Sequence, residues 1–449
     1  MIGVLLLGLA LVVAAALGVA LLELLLRRAD VAAALVFGSV VVQAYFIDRV
    51  PALALPGGVQ VYLTDMVSGL LLGAAVLRLL RTPRFDRFQR WLLVLGILLL
   101  VSLVRGAAAF GMQASVADFR EYLFFGGVAL YFASFPVSIR LYDRIGRIWL
   151  AMTIPMMVLV CLRWLAVFAG VNLGVPASKY GADAAIRVID GPFTFFLAHA
   201  FVLTIPAWTW MRRERDRWIR WVSVLLLLFC LVLNRRTVWL AIVVGVAVLM
   251  LRDRRLGRRA LVLVALGGVM TAVAFVWLGG LQEGSEPVVR SGSGNLSWRV
   301  QGWSDVVTAW SRSPADWAIG QPVGSGFTRQ VEGIVTNTQY GLHNFYIEIL
   351  VRTGFVGLVA LVALTAGLLR ALWRAPARDA GLLGPGMLPA LLAMQIVWYL
   401  TWPPGSEQGI VTGLAAAVAA AEVSRRRLAA RPVPATADRA LAQTGNGRR

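Results

Sequence analysis

Only two histidines occur in the 449 residues of this chain, and His343 opens a segment whose residue types and spacing can do chemistry. The segment HNFYIEILVRTGFVG runs from His343 to Gly357. Asn344 follows the imidazole, nine residues separate it from Gly354, and Gly357 comes three later. An imidazole at the start of a helix is kept neutral by the partial positive charge there, and a neutral imidazole can accept a proton. Glu348 and Arg352 stand in the favourable order for an i,i+4 pair. Gly354 and Gly357 remove side chains where a neighbouring helix can approach closely. Upstream, Arg299 and Trp303 are four apart and share one helix face, which aims a guanidinium and an indole together. Such a pair can hold an anion beside a sugar ring. Spacing alone leaves open that Trp303 only packs and that Arg299 only caps or snorkels. The glycine-studded stretch from Gly320 to Gly326 permits a tight or left-handed turn and carries no catalytic role by itself. The second histidine, His199 within GPFTFFLAHAF, reads as a hydrogen-bonded core residue.

The elements that must position these residues are apolar. The chain is 59% hydrophobic with a mean hydropathy of +0.76, and spans long enough for a bilayer recur along it. They are expected near 2–26, 31–47, 62–80, 91–109, 121–137, 148–170, 193–211, 219–234, 237–251, 260–279, 344–369, 382–401 and 408–424. The fold class is therefore all-α: an integral membrane protein, a polytopic bundle of about 12–13 transmembrane helices with one large folded extracytoplasmic loop. Ten spans occupy residues 1–280, the loop 281–343, three spans 344–424, and a basic tail of disordered composition 425–449. Within the loop, Trp303, Val306, Val307 and Trp310 form one apolar stripe of a short helix. This stripe should fold the loop onto the membrane domain as a lid.

The formal charge of +20 is not spread evenly. Arginines cluster at Arg27 and Arg28, then at 78–90, 140–147, 212–220, 252–259, 370–378 and 425–449, so every second connection is basic. By the positive-inside rule those connections are cytoplasmic and the long loop is outside. The same pattern makes a nucleic-acid partner unnecessary. The outward segments carry arginines of their own: Arg105, Arg120 beside Glu121, Arg187, and the pair Arg235 and Arg236 in a tight turn between two spans. A single arginine at a helix end reads most simply as an interfacial anchor. The Arg235–Arg236 pair is harder to dismiss, because charge beside a bilayer usually faces a partner or a polar cavity. Cys161 and Cys230 read as inert thiols within spans, and the outer segments show no metal-ligand spacing.

These residues resemble the O-antigen ligase and polysaccharide polymerase superfamily. The resemblance rests on the H-N-x9-G-x-x-G pattern of His343, Asn344, Gly354 and Gly357, on Arg299 with Trp303, on the stretch holding Pro314, Gly324 and Gly326, and on Arg236 in NRRTVWLA. Arg235 stands where the family usually has serine, and Arg187 fits a looser family pattern. The resemblance covers the chain from Lys179 to Leu369. It implies glycosyl transfer at the outer face of the cytoplasmic membrane, from an undecaprenyl-diphosphate-linked glycan to the hydroxyl of a glycan or lipid acceptor, among membrane lipid and with no metal or cofactor. His343 would be the general base. Arg236, Arg299 and Arg187 would bind the diphosphate, supported by Arg235, Trp303, Asn344, Glu348, Arg352, Gly354 and Gly357. A polytopic transporter or flippase of lipid-linked glycan is the competing class, but it has no need of a folded outer loop with this arginine and histidine set. Ligase and polymerase differ only in acceptor, which the residues do not encode.

Overall fold

The computed structural model describes residues 16–46, 50–55, 58–81, 85–171, 187–208, 217–254, 291–331, 334–338, 341–375, 382–384 and 386–429, with isolated positions between 258 and 269. The start of the first expected span, most of the span near 260–279, loop residues 281–290 and the tail beyond 429 lie outside these.

The expected spans fold as helices. After a helical segment at 16–27 come α1 (Ala29–Phe46), α2 (Leu63–Arg81), α3 (Arg87–Phe110), α4 (Met112–Ala133) and α5 (Ile139–Ala169). Then follow α6 (Gly191–Thr204), continued by a 3-10 turn to Trp208, α7 (Arg217–Val232) and α8 (Arg236–Arg252). The long loop forms α9 (Ser291–Ser311), α10 (Pro314–Ile319) and the antiparallel strands β3 (Phe327–Val331) and β4 (Ile334–Thr338). Three helices close the chain: α11 (Phe345–Trp373), α12 (Leu388–Trp398) and α13 (Ser406–Ala429). A small hairpin, β1 (Ala52–Ala54) with β2 (Gln60–Tyr62), lies between α1 and α2.

Among the described residues six helices are long and apolar enough to cross a membrane: α1, α2, α3, α5, α6 with its 3-10 extension, and α11. Of the expected 12–13 spans, those near 2–26 and 260–279 lie partly or mostly outside the described residues, and several of the others fall below this measure. Helices α7 and α8 have 16 and 17 residues, and α12 has 11. At 1.5 Å per residue α12 covers only about 17 Å, so it is a buried segment inside the bundle.

Two boundaries move for visible reasons. Helix α4 starts at Met112, well before the apolar run, because Gly111 (φ 84°) makes the whole turn from α3 in one left-handed residue. Its polar first turns, Asp118 and Arg120 included, are therefore helical. Helix α13 runs past the expected boundary to Ala429, since Glu422 pairs with Arg425 (2.5 Å) and Arg426 (2.7 Å) one turn on.

The basic connections gather at one end of the bundle. Asp30 pairs with both Arg28 and Arg144 at 2.9 Å. Arg78 donates to the carbonyls of Leu26 and Ser134, and Arg252 to those of Leu372 (2.7 Å) and Ala375 (2.9 Å). Arginines there satisfy carbonyls that helix C-termini leave open. The opposite end carries the folded loop. Tight packing joins the two: a Cβ on Gly409 would come within 2.6 Å of the Phe125 carbonyl, so small residues let α13 lie directly on α4.

Candidate active site

The apolar stripe seats the loop. Val306 and Trp310 of α9 are buried with Phe327, Leu342 and Val351, and Trp303 and Val307 pack against them. The glycine turn after α10 is tied to the helix ends below. Arg105 donates to the Ile319 and Gly320 carbonyls, and the Ser102 hydroxyl accepts from the Val323 N–H (3.2 Å). Arg120 instead holds Asp65 (2.8 Å) and stacks over Tyr62, so both outward arginines are structural.

Glu348 and Arg352 do not form the expected pair. Arg352 is fully buried and bridges to Asp118 of α4 at 2.6 Å, while donating to the Pro322 carbonyl (3.0 Å) and the Ser325 hydroxyl (2.5 Å). Asp118 also accepts from the Gly324 N–H at 2.8 Å. Glu348 reaches back to accept from the Leu342 N–H at 2.7 Å. The carbonyls of the glycine turn, the Asp118 carboxylate and the N–H before the helix outcompete the i,i+4 ion pair, because each would otherwise be buried without a partner. Of the two glycines, Gly354 lets a neighbouring helix approach closely, as expected, and Gly357 does not. Gly354 has φ 68° and kinks α11, and a Cβ there would overlap the Ala318 carbonyl of α10, so the close neighbour is the loop's short helix. A Cβ at Gly357 would collide with the Thr353 hydroxyl of its own helix.

His343 sits one residue before the N-cap of α11. Asn344 is that cap, accepting from the Ile347 N–H at 3.2 Å. His343 itself has φ 52°, a left-handed backbone that costs a non-glycine residue. Its neighbours enforce it: Leu342 is bonded to Glu348, and the Phe345 N–H donates to the Tyr399 carbonyl (2.9 Å). The Trp303 indole N–H donates to the Leu342 carbonyl at 2.7 Å, which couples α9 to the histidine. The half-buried imidazole meets the Trp402 ring edge-on, centroids 4.6 Å apart.

One turn before Trp303, the half-buried Arg299 lies within electrostatic reach of Arg235. Burial and that second guanidinium together push the Arg299 pKa down. The buried Nε of Arg299 has no hydrogen-bond partner among the described residues. Arg235 is the N-cap of α8 and donates to the Ile189 carbonyl at 2.8 Å. Residues 187–190 form a short strap into α6, opened by the half-buried Arg187. The strap ends at Gly191, where a Cβ would stand 3.0 Å from the Trp402 ring. These neighbours form a ring: Arg235, the strap, Trp402, His343, Leu342, Trp303, and back along α9 to Arg299, which electrostatic reach joins to Arg235.

Of the residues singled out by sequence, Arg299, Trp303, Arg235 and His343 come together, with Arg187 on the strap. Arg236, on which the resemblance placed the diphosphate, is exposed in the first turn of α8, and its neighbour Arg235 faces Arg299 instead. His199 is fully buried as expected, packed between Phe195 (4.2 Å) and Trp149 (5.6 Å). Trp402 and Asp118 were not singled out. A tryptophan beside two prolines and a carboxylate ahead of a span have many bland explanations in a sequence.

Residues 221–362 match the family model described as O-antigen ligase. This part of the chain is similar to O-antigen ligase domains. It marks a membrane enzyme of the O-antigen ligase or polymerase type. The domain spans less than half of the chain but holds Arg235, Arg236, Arg299, Trp303 and the whole His343–Gly357 segment. Arg187 and Trp402 complete the ring from outside the O-antigen ligase match. No curated protein and no solved structure matches the chain.

Proposed function

We propose that the chain transfers or polymerises glycan from an undecaprenyl-diphosphate-linked donor onto an acceptor hydroxyl, on a glycan or a lipid, at the outer face of the cytoplasmic membrane. The observation that carries this reading is Arg299, whose buried Nε has no hydrogen-bond partner among the described residues, set on the helix that Trp303 ties to the residue before His343. A half-buried guanidinium with an open N–H donor suits an anionic oxygen, and a diphosphate supplies such oxygens. The N-terminus of α8 adds partial positive charge at the same place. Arg236 and Arg187 stand on the elements that flank Arg235 and Arg299 and extend the contact outward.

In the proposed step the acceptor oxygen bonds to the anomeric carbon of the donor sugar while the bond from that carbon to the diphosphate breaks. The bonding electrons leave with the diphosphate, whose growing charge the arginines offset. The acceptor proton passes to the His343 imidazole. The arginines supply the positive charge, so the step needs neither metal nor cofactor. Trp303 and Trp402 flank the histidine with aromatic surface suited to a sugar ring.

The test is release of undecaprenyl diphosphate from a lipid-linked glycan by the purified chain in nanodiscs, with glycan and lipid acceptors offered separately. Absence of release with every acceptor would sink the proposal, and the acceptor that supports release separates polymerase from ligase. Sidedness is checked in a variant lacking Cys161 and Cys230. Thr308→Cys should react with an impermeant thiol reagent in intact cells and Arg254→Cys should not; the reverse result would put the site on the wrong face.

A further inference from the structure

One buried cation lies outside the ring of site residues and yet touches the element that holds it. Arg163 stands near the end of α5, is 2% exposed, and sits in an apolar span. Its guanidinium donates to the backbone carbonyls of Ala44 (2.8 Å), Tyr45 (3.0 Å) and Val188 (3.0 Å), and its Nε is buried without a partner among the described residues. Two of those carbonyls belong to the last turn of α1, which a cation satisfies and stabilises. The third belongs to the strap. The next carbonyl along, Ile189, is the one that receives Arg235.

The strap is thus strung between two arginines on successive carbonyls, with Val188 (1% exposed) and Ile189 (2%) buried. Arg235 bonds the strap at Ile189 (2.8 Å), so where the strap lies bears directly on where that guanidinium stands. The far end of the strap abuts Trp402, beside His343. A buried arginine is costly to keep, and one arranged as a three-carbonyl clamp fixes geometry as well as charge.

We infer that Arg163 is a positioning residue for the anion site: through the Val188–Ile189 strap it sets where the Arg235 guanidinium stands, without touching substrate. The inference rests on the diphosphate reading above. It is tested with Arg163→Lys, which keeps the charge and cannot bridge the same carbonyls, and with Arg163→Gln, which keeps one donor group.

The measurements are undecaprenyl diphosphate affinity in nanodiscs, thermal unfolding, and the reactivity of Val188→Cys toward a permeant maleimide in a background lacking Cys161 and Cys230. With Arg163 intact the buried thiol of the Val188→Cys variant should label slowly. Arg163→Lys should raise that rate at least tenfold and weaken undecaprenyl diphosphate binding by roughly tenfold, about the loss of one hydrogen bond to a charged group. Its unfolding temperature should stay close to that of the parent. Labelling that rises with no change in affinity, or affinity that falls while the strap thiol stays protected, overturns the inference. So does a general loss of stability that Gly245→Ala, which crowds Met394 against α8, reproduces with the same drop in binding. If neither Arg163 variant accumulates in membranes, the residue is a folding anchor and the inference is withdrawn. If the chain with Arg163 intact does not bind undecaprenyl diphosphate, the donor reading fails first, and labelling of the strap thiol alone then decides whether the clamp exists.

Discussion

The indole of Trp303 donates a hydrogen bond to the carbonyl of Leu342 at 2.7 Å, and so the helix that carries Arg299 is fastened to the residue preceding His343. This bond ties the helix of Arg299 to the residue before His343, and in the proposed step it aligns the cation with the proton acceptor. Trp303→Phe keeps the packing and removes the bond. The loss of about 1 kcal/mol in alignment should lower turnover roughly fivefold. Donor affinity should be unchanged. Steady-state kinetics with a lipid-linked glycan separate the two, and an effect confined to donor KM would show that Trp303 binds rather than aligns.

Substitutions at His343 divide its chemistry from its backbone. His343→Ala should lower turnover roughly a hundredfold or more, as loss of a general base does. His343→Gln, which hydrogen-bonds without taking up a proton, should be equally poor. His343→Gly should be just as inactive and yet more stable, because glycine accepts a φ of 52° without cost. Near-normal turnover in the Gln variant would remove the base assignment.

For the arginines the expected order is Arg299→Ala and Arg235→Ala most damaging, and Arg236→Ala milder, since Arg236 is exposed. Lysine at 235 or 299 should restore binding only in part, having charge without the planar fork. Binding of undecaprenyl diphosphate by the purified variants gives the ranking. A strong Arg236 effect with a silent Arg235 would reverse the assignment.

The bond between Arg352 and Asp118 predicts a stability effect. Arg352→Met leaves Asp118 without its partner and should cost about 3 kcal/mol or more. The double variant with Asp118→Asn should recover part of this, because the asparagine oxygen can still accept from the Gly324 N–H. Thermal unfolding of the four proteins in detergent closes the cycle; additive losses would mean that the two side chains act independently.

Much of this protein follows from one-dimensional pattern. The length and placement of apolar runs put helices close to where they fold, because burial in lipid depends on local composition. The alternation of basic connections brought them to one end, since consecutive helices joined by short connections run in opposite directions. The stripe of Trp303, Val306, Val307 and Trp310 foretold how the loop lies, because helical period selects its buried face. His343 and Arg299 were visible for the same reason: few polar residues stand out in so apolar a chain.

Tertiary structure decided the partners. Nothing local distinguishes Arg235 from Arg236; which one faces Arg299 depends on where the strap carbonyl of Ile189 arrives from a distant part of the chain. Glu348 and Arg352 have ideal spacing for each other, but each was claimed by a stronger need: a buried N–H at Leu342 and a carboxylate at Asp118. Arg163 was overlooked although a charge inside an apolar span is itself a signal. Its task became legible only when α1, α5 and the strap were seen to converge on one guanidinium. Spacing along a chain determines which side chains share a face, and packing between elements determines which unsatisfied backbone groups they meet there.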